Sequence, residues 1–174
     1  MAYVTTSYRL GDTHHTLLKK ILSAVNRSAC PHVNTYTLAT STTPYADYDV
    51  LGGAVTLFTD TPGRHGHVLG ATLVDPDNQG SHIELILLNG DLANPVTDNQ
   101  PISWSSSDYN KIIGRLSISG VDYIRLGSDG PSVATVTGVY VPFEHVTKLV
   151  VVPVVMSIAS YSANSLRLKV AWVD

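Results

Sequence analysis

The pattern of apolar and polar residues divides most of this chain into short extended segments, with turn residues between them. The densest apolar run covers 82–88, where apolar side chains occupy both faces of an extended segment and the single charge is Glu84. One face of this run carries Ile83, Leu85 and Leu87. A strand that is apolar on both faces is usually buried on both. We therefore interpret this run as a central strand, which the Asn-Gly-Asp turn at 89–91 ends.

A second run, 148–158, is also apolar on both faces and is predicted to be the other central strand. We place Val151 and Val155 in the hydrophobic core together with the three residues named above. Turn residues separate the other predicted strands, which are 33–40, 50–58, 67–74, 115–118, 121–126, 133–141 and 165–173. The segment 59–66 is expected to be a loop. About eight strands with turns between them predict an all-β fold, a two-sheet β-sandwich or a barrel.

One short helix is predicted within this domain, at about 105–113. Ser105 or Ser106 can cap it, and Gly114 can end it. Its buried side would be formed by Tyr109, Ile112 and Ile113.

The N-terminal segment has a different pattern from the rest of the chain. Residues 12–28 show a helical period, with an apolar stripe formed by Leu17, Leu18, Ile21, Leu22 and Val25. The opposite side carries Lys19, Lys20 and Arg27. Pro31 ends the pattern, so we divide the chain into an N-terminal arm or helix, 1–30, and a β domain, 31–174. Such a helix can pack on its own domain, dock on a partner, or lie on a membrane surface, although three basic residues are few for the last role.

Charged residues are few and unevenly distributed. They make up 14% of the chain, whereas about 25% is usual in soluble domains, so we expect a partner to cover part of the surface. Residues 1–30 have a net charge of +3, and the remainder, with 7 basic and 13 acidic groups, has a net charge of −6. An acidic body argues against nucleic acid as the main partner. The single Cys30 excludes an intrachain disulfide framework. No signal peptide and no apolar run of ~18 residues is found, so we expect synthesis in the cytoplasm and no membrane partner.

Catalytic motifs are weak in this sequence. His65 and His67 form a half-site for a metal, but no acid follows within a few residues and a third ligand is missing from the pattern. A cupin-like enzyme would need both, so we expect neither a metal nor another cofactor. There is no Gly-x-Ser-x-Gly elbow and no phosphate-binding glycine loop. Cys30 lies near His32 in the sequence, but this adjacency says nothing about their positions in space. We therefore do not expect an enzyme.

Three groups of segments, taken in order, resemble a family of bacteriophage virion proteins. The first is Tyr-Ala-Asp-Tyr-Asp-Val-Leu-Gly-Gly at 45–53. The second combines 83–91 with Thr-Asp-Asn-Gln-Pro-Ile-Ser at 97–103 and the segment up to Leu116. The third consists of 121–124, 132–135, 138–143, 149–153 and 166–173. Together they extend over roughly 33–174.

The resemblance implies a capsid decoration or cement protein with a jelly-roll-like β-sandwich, located on the outside of the phage head. Its partners would be the major capsid protein and other copies of itself, and we expect a homotrimer because an open sandwich leaves strand edges to cover. The first 30 residues do not match the family, and we expect them to hold the capsid contacts, at Tyr8, Arg9, Leu17, Leu18, Lys19, Lys20, Ile21 and Arg27. The alternative is a receptor- or glycan-binding module of a phage head or tail fibre, which exposed Tyr and Trp and loops rich in Asn and Asp would suit.

Overall fold

The computed structural model describes residues 31–174, without the side chains of 60–62. This part of the chain contains seven β-strands. They are β1 (His32–Thr37), β2 (Val55–Asp75), β3 (Ile83–Leu88), β4 (Ile112–Ile118), β5 (Tyr123–Arg125), β6 (Ser132–Val155) and β7 (Arg167–Val173). A short 3-10 turn, Tyr109–Lys111, comes directly before β4, and a second one, Gly120–Asp122, comes directly before β5. His32–Asp174 forms one compact unit.

Two long strands, β2 and β6, pair with each other in antiparallel fashion from Val55 and Val151 at one end to Asp75 and Ser132 at the other. The pairing register shifts several times between Thr56 and Gly70. Such shifts mark β-bulges, which bend a strand and increase its twist. The predicted loop at 59–66 is therefore wrong, because this segment continues β2, and the two strands predicted within β6 are one.

The bent pair joins two layers. The first layer contains β1, β7, the C-terminal part of β2, the N-terminal part of β6, and β5. The second contains the N-terminal part of β2, the C-terminal part of β6, β3 and β4. Hydrogen bonds connect the strands in the order β1-β7-β2-β6-β3-β4, with β5 beside β6. The prediction of an all-β, β-sandwich-like fold is confirmed.

The main core lies between the two layers. The five residues predicted to form it all have 0% exposure: Ile83, Leu85, Leu87, Val151 and Val155. They pack in one cluster with Leu73 and Leu168 of the first layer. β3 has β4 on one side and β6 on the other, so it is an interior strand, as its sequence predicts. Burial of each such leucine or isoleucine contributes about 1.5–3 kcal/mol to folding.

A second, smaller core covers the outer side of the second layer. It contains Val50, Leu88, Val150, Val152 and Val154, with Ile102 and Trp104 packed against it. The segment 89–108, which connects β3 to the 3-10 turn before β4, thus supplies apolar side chains that cover this side. This explains why both central strands are apolar on both faces.

The predicted helix at 105–113 is wrong. A turn ending at Asp108 leads into the 3-10 turn, and Ile112 already pairs with Leu88 in the sheet. The Asp108 carboxylate accepts hydrogen bonds from the Ser105 hydroxyl at 2.7 Å, from its N–H at 2.9 Å and from the Ala93 N–H at 2.9 Å. Local side-chain bonds of this kind compete with a helix. Tyr109 and Ile112, which a helix would bury, are 61% and 42% exposed.

Gly52 and Gly53 lie before β2 begins at Val55, so the strand predicted at 50–58 starts later than expected. Both residues have positive φ, of 71° and 83°. A Cβ atom at Gly52 would lie 2.6 Å from the backbone nitrogen of Ala39. The Gly52 N–H donates to the Asp98 carboxylate at 2.7 Å, and the Tyr45 hydroxyl donates to the same oxygen at 2.7 Å. Burial raises the pKa of Tyr45 to about 12, so its hydroxyl remains a donor at neutral pH.

Candidate functional site

A pocket of about 380 Å³ opens on the outer side of the second layer. Its apolar lining includes Ile86 and Val154 from the sheet, Met156 just after β6, and Tyr48, Ile102 and Trp104 from the loops. Its charged lining residues are Glu84 and Arg115. Pockets for small ligands have volumes of about 300–1,000 Å³ and combine apolar walls with a few polar groups. We call this cavity the Glu84 pocket.

The carboxylate of Glu84 is the unusual group in this pocket. The residue is only 6% exposed. Its Oε1 atom accepts a hydrogen bond from Arg115 Nη1 at 3.0 Å and lies 3.2 Å from His82 Nε2, which is also 2.9 Å from Ser117 Oγ. Its Oε2 atom is buried and has no hydrogen-bond partner among the described residues. An unsatisfied buried acceptor costs about 1–3 kcal/mol, and more when it is charged.

Sheet register brings these polar groups together. Glu84 points outward from β3 because its neighbours Ile83 and Leu85 point into the main core, and His82 lies two residues earlier on the same face. Arg115 of β4 pairs with Ile86 in the ladder and is thus the diagonal neighbour of Glu84. Diagonal neighbours on one face are within reach of long side chains.

Two loop segments hold the walls of the pocket. The Val50 N–H donates to the Gln100 carbonyl at 3.0 Å, and the Asn99 N–H donates to the Val50 carbonyl at 2.9 Å. These bonds tie the segment that carries Tyr48 to the segment that leads to Trp104, and both side chains line the pocket. Tyr48 has φ of 71°, a conformation that is strained for an aromatic residue and is often found at functional sites.

A second candidate surface is the outer face of the first layer. Its residues form three cross-strand rows: Val33, Ala171, Gly70 and Thr137; Thr35, Lys169, Thr72 and Thr135; and Thr37, Arg167, Val74, Val133 and Ile124. Apart from Gly70, these residues are exposed or half-buried. We call this surface the threonine face. Thr72 and Thr135 share a hydrogen bond of 3.1 Å at its centre.

The threonine face differs in charge from the acidic body. It carries Arg167 and Lys169 and no acidic residue. Lys169 makes no ion pair with any residue in the described part of the chain, whereas Arg167 donates to the backbone carbonyls at its own turn. A depression of about 340 Å³ lies at one end of the face, beside Tyr140.

The histidine pair predicted as a metal half-site is separated by the bend of β2. The ring of His65 meets His145 edge-on with centroids 4.2 Å apart, whereas His67 faces Tyr140 at 6.4 Å. Within 31–174, no three His, Cys, Asp or Glu residues are grouped so that they could hold a metal ion. Over the same residues, neither 3-10 turn has the length or apolar character of a membrane span.

The residues predicted to contact a capsid, from Tyr8 to Arg27, lie outside the described residues, as does the predicted helix at 12–28. Sequence reasoning missed both surfaces described above, although it singled out Glu84 as the only charge in the central strand. No protein-family model matches the chain, and no curated protein is similar to it in sequence. The family resemblance therefore stays a prediction.

Proposed function

We propose that this chain is a structural protein of a bacteriophage virion, which binds the outer surface of the capsid and stabilises it. The observation that carries the proposal is the threonine face, because a decoration protein needs a broad and rigid surface for docking. The ordered motifs between 45 and 173 support the same function. In this proposal the protein is made in the host cytoplasm, and its partners are the major capsid protein and other copies of itself.

The composition of the threonine face suits rigid docking. Thr and Val dominate it, and β-branched side chains have few rotamers to lose when a partner immobilises them. Most side chains on this face are short, so the twist of the sheet and the depression beside Tyr140 set the shape of the surface. Binding would thus bury apolar methyl groups at a low cost in conformational entropy.

Charge gives the docking its orientation. The residues from 31 to 174 have a net charge of −6, while the threonine face carries two cations and no acid. An acidic shell surface would repel the other sides of the domain and attract this one. Lys169 lies in the middle row, where it can pair with a carboxylate of the shell.

Edge strands support self-association. Among the described strands, β1 pairs only with β7 and β4 only with β3, so each has one edge without a partner in 31–174. Open edges invite pairing with another chain. The expected homotrimer would cover such edges, and several docking surfaces on one assembly would increase its avidity for a repeating shell.

The test uses shells of the phage that encodes this chain, prepared without it, and the full-length protein. We expect the wild-type protein to sediment with the shells and Lys169→Glu to bind about tenfold more weakly at low salt, because the new carboxylate faces acidic partners. Arg125→Glu is the matched control. Arg125 is exposed, but it follows Ile124 in β5 and therefore lies on the opposite face of that strand, off the threonine face.

Two results would contradict parts of this proposal. Absence of the chain from purified virions, together with no sedimentation of the wild-type protein, would overturn the function itself. Equal binding by wild-type protein and Lys169→Glu would exclude the threonine face as the docking surface. In that case Lys19→Glu and Lys20→Glu would test the N-terminal segment, where the sequence predicts the capsid contacts.

A further inference from the structure

We propose that the Glu84 pocket binds a neutral sugar ring. The pocket and its chemistry do not depend on the capsid function, but one consequence does. The threonine face and the pocket lie on the outer sides of opposite layers. A protein docked by the threonine face, as proposed above, would turn the Glu84 pocket away from the shell and towards the surroundings of the virion.

The unsatisfied oxygen defines what the ligand must offer. Glu84 Oε2 is a buried acceptor without a partner among the described residues, and Glu84 lines the pocket. This oxygen is closed to solvent, so a ligand donor reaches it when the carboxylate turns towards the cavity, and the bond formed there replaces the missing interaction. Ligands that carry only acceptors at that point, such as a phosphate or a carboxylate, would instead be repelled by Glu84.

The charge of the pocket favours a neutral donor over a cation. Glu84 Oε1 is already paired with Arg115 Nη1 at 3.0 Å, so the two lining charges balance. An ammonium group would have to enter beside this guanidinium, whereas a hydroxyl group meets no such repulsion. Hydroxyl groups are therefore the donors that best fit Oε2.

Arg115 adds the complementary function. Its side chain is 72% exposed, and only Nη1 is used by Glu84. A guanidinium has five N–H donors in a planar fork, so the remaining donors can reach a ligand oxygen. A carboxylate that accepts next to a guanidinium that donates matches two adjacent hydroxyl groups, one of which donates while the other accepts.

The walls match the remaining surface of a sugar. A pyranose ring has a face of C–H groups that packs on an aromatic side chain, and Tyr48 and Trp104 stand at the pocket. Ile86 and Met156 line the same pocket and offer further apolar contact. The volume of about 380 Å³ lies near the lower end of the range for small-ligand pockets, which suits one or two rings.

The experiment titrates full-length protein with a panel of neutral sugars, namely glucose, galactose, mannose and N-acetylglucosamine, and detects binding by saturation-transfer NMR and calorimetry. We expect at least one of them to bind with a Kd on the order of 1 mM, which corresponds to about −4 kcal/mol. Glu84→Gln and Trp104→Ala should each weaken that binding at least tenfold. Trp104→Phe, which keeps an aromatic face, should retain most of it.

Tyr140→Ala is the matched control, because it removes an exposed aromatic residue beside the threonine face and leaves the Glu84 pocket intact. Its affinity for the sugar should equal that of the wild type. Urea midpoints of all variants establish that they are folded. Absence of binding by every sugar, or binding that Glu84→Gln and Trp104→Ala leave unchanged, would overturn the proposal.

Butylammonium, which mimics a lysine side chain, is titrated in the same way as the sugars to test whether the pocket prefers a cation. Saturable binding of this cation without any sugar binding would assign the pocket to a basic peptide and overturn the sugar assignment. Failure of the capsid assay would leave these measurements unaffected, because that assay concerns the opposite side of the molecule.

Discussion

Three leucines allow the two cores to be tested with one kind of substitution. Leu87 and Leu88 are adjacent in β3 and both have 0% exposure, but Leu87 belongs to the main core and Leu88 to the smaller core beneath 89–108. Leu126 is 57% exposed and serves as the control. We predict that Leu→Ala is most costly at position 87, slightly less costly at 88 and nearly neutral at 126.

The magnitudes follow from burial. Leu→Ala removes three carbon groups, and each contributes about 0.8 kcal/mol when buried, so the transfer part is about 2.4 kcal/mol. A cavity adds to this, and we expect about 3–4 kcal/mol at Leu87. At Leu88 the covering loop can settle into part of the cavity, so about 2–3 kcal/mol is expected. At Leu126 the change should stay below about 0.5 kcal/mol.

Urea unfolding followed by tryptophan fluorescence and circular dichroism measures these differences. With a slope of about 2 kcal/mol per molar urea, Leu87→Ala should lower the midpoint by roughly 1.5–2 M. All three variants should remain folded, because domains of this size are stable by about 5–15 kcal/mol. If Leu88→Ala costs no more than Leu126→Ala, the smaller core does not pack in solution, and the Glu84 pocket beside it is not built as described.

Three further predictions concern the loops and the assembly. Gly52→Ala should destabilise the domain by more than about 2 kcal/mol, because the residue has a positive φ and its Cβ atom would clash with Ala39. At Gly53 a Cβ atom meets nothing closer than 3.7 Å, so Gly53→Ala should cost only the free energy of placing alanine at a positive φ. Equal urea midpoints for the two variants would contradict this. The Ser105 hydroxyl holds the pKa of Asp108 below its ordinary value of 3.8, so this carboxylate stabilises the fold above about pH 4 and loses its effect as pH falls through the lowered pKa. The stability difference between wild type and Asp108→Asn should accordingly shrink from pH 7 to pH 3 in urea titrations, and a constant difference would refute the assignment. Light scattering should give a trimer in solution, and a monomer both free and on the shell would exclude self-association.

Much of the fold could be predicted because burial imposes a period on the sequence. Buried Leu168 and Val170 alternate with exposed Arg167 and Lys169, and this alternation can be read from the sequence. The predicted strand 165–173 differs from β7 by two residues at its start. Double-sided apolar runs also identified β3 and the end of β6. These signals are local, since each needs only the two faces of one strand.

The errors arose where pairing with a distant strand decides the structure. The polar and glycine-containing segment 59–66 is typical of a loop, but β6 supplies a partner across several bulges and keeps it extended. The spacing of residues 109, 112 and 113 is compatible with one face of a helix, and equally with a turn followed by a strand. The carboxylate of Asp108 and the ladder with Leu88 decide between them, and neither can be read from periodicity.

The candidate site needed the same distant information. A single charge at Glu84 in an apolar strand marks an unusual position, but its partner Arg115 is set by the β3–β4 register and the wall at Trp104 by the path of a loop. For folding alone, this carboxylate is unfavourable: burial leaves Oε2 unsatisfied, and a largely exposed arginine recovers little. An apolar residue would pack at this position against Val154 and Ile86. The domain thus keeps, in the lining of a pocket, a polar group that its stability does not need, and local rules of this kind are typically broken where a protein binds something.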